Sequence, residues 1–422
     1  MLSLNPDLKI SFQKKMEKFF NFFILLACFS VSMPTAWMSF STAMIIIFWL
    51  LTGNFKEKFN RINHNPVAIS VLGLLFIYFF AMFYSTAEWS MRGIFFLKYF
   101  KLILIPILIS TINSDALRKK ALNAFLYGTF LLLFISYFKW LKIFPMDLGL
   151  HDIHDPLQGF TAFKNRIAHN IIMSFSMYLL LYRFSLEKTK TKWIYLALAL
   201  LMLFDIIFLV NGRTGQLIAI SLAVFFMFHR WGFKAFVYPV LISLLLLPFK
   251  EELRGIRPDR LLGTYSEIQN FSDNNQTSAG LRLEMYKNTL LLAFKSPWVG
   301  YGTGALKDEY RKAFEHTNII VVDVPNPHNQ YILTFFEVGL VGLLAFLNLF
   351  YQSYKIAFQF LKKEPMVAYS IFGLLITFMM GSLFNSLLLD ASEGKFFCLL
   401  LGIMLSSYKS KKSCSFFYSR IN

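Results

Sequence analysis

The chain has 422 residues, 56% of them hydrophobic, 18% aromatic and only 16% charged, with a formal net charge of +18. So large an apolar surplus, gathered in blocks, is too much for one soluble core and belongs in lipid. The basic excess falls in short loops between apolar runs rather than on one face, which argues against a nucleic-acid footprint, and continuous runs with fifty phenylalanines exclude a lipid-spanning barrel of short alternating segments.

The reading is therefore an all-α polytopic membrane protein. A span needs roughly 17 to 25 apolar residues, which places helices near 18–33, 36–53, 66–85, 93–111, 121–140, 167–183, 193–210, 214–230, 233–249, 328–350, 367–386 and 395–408, about twelve in all. The expected organisation is 1–249 with spans one to nine, 250–327 as a large outer loop with helices, and 328–422 with the last three spans and a tail. Lys9, Lys14, Lys15 and Lys18 precede an apolar stretch with no small-residue cleavage site, so the first helix reads as uncleaved.

Lys and Arg recur in alternate loops, with Lys56, Lys58 and Arg61 in one and Arg118, Lys119 and Lys120 in the next, down to Lys409, Lys411 and Lys412 in the tail. The positive-inside rule then makes both termini cytoplasmic. The loops 141–166, 211–213 and 250–327 lie on the other side and still carry arginine, against the orientation signal. Cys28, Cys398 and Cys414 show no CxxC or metal spacing, so neither a disulfide framework nor a metal site is expected, and no cofactor.

The candidates for chemistry sit in those exceptional loops. Arg166 follows Asn165 at an expected helix start. Arg213 lies in Asn211-Gly212-Arg213-Thr214-Gly215, where Thr214 is the expected cap and the guanidinium stands beside a helix N-terminus, an arrangement that suits a phosphate. Arg282 opens a helix-like run from about Ser278 to Phe294. In Pro325-Asn326-Pro327-His328-Asn329, Asn326 is the expected N-cap and Pro327 suits the first turn, so His328 falls at a helix start whose dipole favours neutral imidazole, able to accept a proton. Each residue has a plain alternative: a headgroup-facing or snorkelling arginine, an interfacial histidine. Their shared placement on one side favours the functional reading.

Gly339 comes eleven residues after His328 and on a continuous helix returns to nearly the same face, where it would permit close packing. Glu337 falls on the opposite face and is expected to pair with a buried donor such as a lysine of the fourth span. Lys98 and Lys101 inside that span are expected to pair with Asp205 or Glu337, or to line a lipid-phosphate groove. Arg254, Arg257 and Arg260 read as a headgroup-binding face, and Gly300-Gly302-Gly304 follows no strand, which rejects a dinucleotide fingerprint.

Taken in order, these residues resemble the O-antigen ligase and polymerase superfamily of polyprenyl-diphosphate-dependent glycosyltransferases. The ligase pattern of a histidine, ten residues and a glycine is similar to His328 to Gly339 within HNQYILTFFEVGLVGLL; its arginine, three residues and a leucine to Arg213 to Leu217; and SAGLRLEMYKNTLLLAFKSPWVGYGTG resembles the stretch that carries a further arginine, here Arg282. The resemblance implies a fold similar to the membrane-embedded GT-C transferases. It implies metal-independent, inverting transfer of O-antigen polysaccharide from undecaprenyl diphosphate to the lipid A-core, at the periplasmic face of the bacterial inner membrane. It assigns a catalytic part to His328 and Arg213 and donor binding to Arg213 and Arg282; Arg166 matches loosely, and Asn329 stands beside the histidine as a further substrate contact. An O-antigen polymerase or protein O-oligosaccharyltransferase would use similar residues. A lipid-diphosphate flippase would instead need polar groups through the whole membrane depth.

Overall fold

The computed structural model describes residues 6–148, 159–210, 212–232, 234, 278–316, 323–324 and 326–408. Outside them lie nearly all of the expected span at 233–249, the basic cluster at Arg254, Arg257 and Arg260, the stretch from Ser272 to Gln276, Asn211, Pro325 and the C-terminal tail with Cys414.

Every regular element among the described residues is helical. In chain order they are α1 (Pro6–Ser30), α2 (Thr35–Leu51), α3 (Phe55–Asn63), α4 (Pro66–Tyr84), α5 (Trp89–Phe100), α6 (Leu104–Thr111), α7 (Asp115–Trp140), α8 (Arg166–Leu186), α9 (Lys192–Phe204) and α10 (Arg213–Trp231). Then come α11 (Ser278–Ala293), α12 (Leu306–Phe314), α13 (Gln330–Phe360), α14 (Pro365–Ser382) and α15 (Ala391–Leu405). Apart from 233–249, each expected span falls on a helix.

Six of these units are long and apolar enough to cross a membrane, or seven if α2 and α3, bent by 115° at their break, are counted as one. They are α4, the run Trp89–Thr111, α7, Lys192–Leu209, α13 and α14. These units coincide with six of the twelve expected spans, and the bent pair with a seventh. The helix α8, outside those six, is buried along nearly all of its length from Ala168 to Leu180 and carries His169, Asn170, Ser174 and Ser176 into the protein. It faces other helices rather than lipid, so its sequence need not be uniformly apolar.

Local signals explain several boundaries. Asn65 caps α4 by accepting from Val67 N (3.0 Å) and Ala68 N (3.2 Å), with Pro66 in the first turn where no N–H is needed. Between α5 and α6 the chain tightens into a 3-10 turn, Lys101–Ile103, where Pro106 withholds the N–H that Leu102 would otherwise receive. After α9 the chain widens into a π-turn, Asp205–Leu209, closed by Val210 N donating to Asp205 O (2.9 Å). π-bulges of this kind occur mostly at functional sites.

At the centre, α8 packs on α9, α10 and α14, while α13 packs on α4, α14 and α11. Tyr178 of α8 donates to Tyr369 O of α14 (3.0 Å), a bond that pins the two central helices together.

Gly339 interrupts α13 with φ 63 and ψ −164, so the stretch is two helices across a kink. The turn that follows α11 enters this break. Leu340 N donates to Pro297 O (2.8 Å), Val341 N to Trp298 O (3.3 Å), Tyr301 N to Phe336 O (3.0 Å) and Gly302 N to Glu337 O (2.8 Å). The backbone groups freed by the break are thereby satisfied, as a lipid environment demands. The Gly300-Gly302-Gly304 run is left-handed at each glycine, with φ 70, 93 and 80, because it threads between α13 and the end of α4.

The kink overturns the expectation that His328 and Gly339 share one face of a continuous helix. It also sets where His328 lies. The 31 residues of α13 rise about 46 Å and the 18 of α14 about 27 Å. The two helices adjoin at Phe360 and Pro365, yet their far ends meet, since Asn329 Nδ2 donates to Leu383 O (3.0 Å). The segment before the break must therefore lean across the bundle. Gly339 is the hinge that lets it.

The buried charges find partners other than those expected. Glu337, fully buried, accepts from the Tyr99 hydroxyl and from Gly304 N (2.7 Å) instead of a lysine. Asp205 meets His169 Nε2 at 2.7 Å and accepts from the Ser136 hydroxyl, with no lysine bonded to it among the described residues. Lys101 donates to Asp390 O (2.6 Å), and Lys98 lies over the Phe95 ring.

Candidate active site

Four helix starts gather at one end of the bundle. Arg166 is the first residue of α8, whose cap Asn165 accepts from Ala168 N (2.8 Å), the register expected from the sequence. Arg213 is the first residue of α10, but its cap is Gly212 without a side-chain bond, so Thr214 does not cap it. Thr214 Oγ1 instead accepts from Asn385 Nδ2 (3.3 Å).

The turn that presents Arg213 is held by a residue the sequence reading passed over. Asn170 Nδ2 donates to Val210 O (2.7 Å), one residue before the undescribed Asn211. A Cβ on Gly212 would lie 2.7 Å from that amide nitrogen and 3.4 Å from Arg166 O, and one on Gly215 would lie 2.1 Å from Asn170 Cβ. Both glycines are therefore required for α8 and α10 to start side by side, which brings Arg166 and Arg213 together. Ser174 Oγ adds a bond to Gly215 O (3.0 Å). One turn further in, the fully buried His169 and Asp205, with Ser136, tie α8, the π-turn and α7 beneath the two arginines.

Arg282 comes from α11 and His328 from the segment before α13. His328 adopts φ 55, a left-handed conformation uncommon for a residue with a side chain though less so for histidine. Its N–H donates to Asn326 Oδ1 (2.8 Å), and its carbonyl accepts from the Tyr286 hydroxyl (3.0 Å). Asn326 thus shapes the approach to α13, whereas the N-cap is Asn329, whose Oδ1 accepts from Tyr331 N (3.0 Å) and Ile332 N (3.1 Å). His328 sits just outside the helix, one residue before its cap. Asn329 is buried, with its amide oxygen spent on the cap and its nitrogen on Leu383 O.

Electrostatics show which of these groups feel one another. Burial first, and the nearby charge of Arg282 second, hold the His328 imidazole below its ordinary value of 6.5. Burial lowers Arg282 as well; Tyr286 opposes that shift and the charge of Arg213 adds to it. Burial raises Tyr286 while Arg282 and a hydrogen bond from Asn329 pull it down. Arg213, Arg282 and His328 therefore lie within one electrostatic neighbourhood. Two neighbouring guanidinium groups can attract an anion, and an imidazole held toward its neutral form can accept a proton.

The turn 383–388 after α14 completes the wall. Leu383 O accepts from both Tyr286 and Asn329, Asn385 reaches Thr214, and Leu388 N donates to Gln330 Oε1 (2.9 Å). Two omissions had a readable signal: Tyr286 is four residues after Arg282 and Asn170 four after Arg166, each on the same helix face as the arginine. The turn had none, being polar-poor and remote in sequence.

Residues 166–347, which include all four groups, match the O-antigen ligase family. That match supports a place for this stretch in the O-antigen ligase and polymerase superfamily. Members of that superfamily are glycosyltransferase-like ligases and polymerases. The matched stretch runs from the start of α8 to just past the Gly339 hinge, so it takes in the helix starts and the inserted turn. No curated protein matches the chain.

Proposed function

We propose that this protein is an O-antigen ligase of the inner membrane, with its site on the periplasmic side and both termini in the cytoplasm. It would move polysaccharide from undecaprenyl diphosphate to a sugar of the lipid A-core. The observation that carries the reading is that Arg282 lies close enough to feel the charge of Arg213 and to act on His328, at one end of a helical bundle.

In this reading the lipid-linked diphosphate lies against Arg213 and Arg282, with Arg166 beside them at the start of α8. Guanidinium forks and the positive ends of helices hold phosphate oxygens well. The acceptor hydroxyl attacks the anomeric carbon from the side opposite the diphosphate; a new C–O bond forms as the bond to the phosphate oxygen breaks, which inverts the centre. The hydroxyl proton passes to the neutral ring of His328, and the two arginines stabilise the charge gathering on the departing diphosphate. With that charge met by guanidinium groups, the step requires no metal. Asn329 contributes by capping α13 and fixing the residue before it.

The test is polysaccharide transfer by purified protein, with lipopolysaccharide gels from cells. Arg213→Gln and His328→Ala are expected to leave a folded membrane protein and abolish transfer, with lipid-linked polymer accumulating and core left bare. A single repeat unit on the core would instead identify a polymerase, and wild-type transfer by either variant would remove that residue from the mechanism.

A further inference from the structure

Tyr286 bonds to both the segment carrying His328 and the turn after α14, and it rises from the helix that carries Arg282. Its hydroxyl lies 3.0 Å from His328 O and 3.0 Å from Leu383 O. A phenol has one proton to donate, so the two carbonyls share it. The oxygen also accepts a hydrogen bond from the Asn329 side chain. Donor and acceptor capacities are both spent, on two segments, 328–329 and the turn at 383, that are far apart in sequence.

His328 needs such a hold. Its left-handed φ of 55 costs energy that the surroundings must supply. From the N-terminal side its backbone N–H is held by the Asn326 amide; from the C-terminal side Asn329 begins the helix. The carbonyl between them is held by Tyr286 alone among the described residues. Since φ and ψ of His328 determine where its imidazole stands, that bond sets the distance between the ring and Arg282, one helical turn before Tyr286 on the same face.

We infer that Tyr286 is a positioning residue, a latch whose hydroxyl fixes the His328 backbone and thereby aligns the imidazole with the neighbouring guanidinium groups of Arg213 and Arg282. It touches neither reacting group and acts through the histidine. The inference rests on the proposed function for its kinetic consequence but not for its structural one.

Two readouts on the purified full-length protein separate them. The first is the rate at which diethyl pyrocarbonate modifies His328, followed by peptide mass spectrometry. Tyr286→Phe keeps the ring and removes only the latch, and is expected to raise that rate about tenfold, the worth of one hydrogen bond. The second is transfer kinetics, in which kcat should fall about tenfold while KM for the lipid-linked donor holds, because the arginines are untouched. Asn326→Ala, which loosens the same residue from its other side, should likewise raise the modification rate. An unchanged rate in Tyr286→Phe overturns the latch whatever the activity, and a raised rate with unchanged kcat overturns its part in alignment. If the rate rises and the wild-type protein transfers nothing, the latch stands and the ligase reading falls.

Discussion

Replacing Gly339 with alanine is expected to damage both the fold and the site, because the position bears two separate demands. At φ 63 and ψ −164 the backbone lies where essentially only glycine is found, and a side chain there costs on the order of 1–3 kcal/mol. A Cβ would also stand 2.2 Å from Trp298 O and 2.4 Å from Val299 N, so the inserted turn has to retreat. Four backbone hydrogen bonds cross this break, and at about 0.5–1.5 kcal/mol each their loss amounts to about 2–6 kcal/mol. The sum, about 3–9 kcal/mol, rivals the whole stability of a typical domain. Thermal unfolding of the detergent-solubilised protein, followed by fluorescence-detected size exclusion, should show a midpoint lower by at least about 3 °C. Gly73→Ala is the control, since a Cβ there meets nothing within 4 Å in the interior of α4; it should leave the midpoint unchanged or raise it slightly. A Gly339→Ala protein within about 1 °C of wild type would refute the account of α13 as a helix opened to admit the turn.

Gly215→Ala drives a methyl group into Asn170 and should separate the starts of α8 and α10, so donor binding weakens at least tenfold while the protein stays in the membrane; unchanged KM for the donor would show that Arg213 does not depend on this contact. Asp205→Ala strands His169 and Ser136 in a fully buried place and should cost about 3–5 kcal/mol, read as an early unfolding transition. Because burial and Arg282 both depress His328, its ring stays neutral to a pH below 6.5, and modification by diethyl pyrocarbonate should have its midpoint there. Arg282→Gln removes the smaller cause, so the midpoint should move up yet remain below 6.5, and a downward move would contradict the placement of the two groups.

The parts of this protein that were legible in its sequence are those whose cause is local. Asn165 before Arg166, Pro66 after Asn65 and the run around Arg282 announce helices through capping and propensity, and the structure keeps them. The cap of α13 slipped by three residues because Asn326 and Asn329 are equally good capping side chains, and only the left-handed turn at His328 decides between them. Glu337 was matched to a lysine, yet Lys98 and Tyr99 are neighbours on α5 that point about 100° apart, and the phenol is the one that faces inward. A phenol can satisfy a buried carboxyl without a second buried charge, which is the less costly solution in lipid.

The break at Gly339 was hidden for a different reason. Its partner is a turn some forty residues upstream, and no periodicity within α13 records that visitor. The same holds for the turn 383–388, which lies beyond the family match at 166–347 yet touches the helix of Arg213 through Asn385, the helix of Arg282 through Tyr286, and the start of α13 through Leu383 and Leu388. The matched stretch supplies the charged groups, and this turn from outside it bonds to the elements that carry Arg213, Arg282 and His328, so a motif search finds the groups of the site and misses this part of its frame.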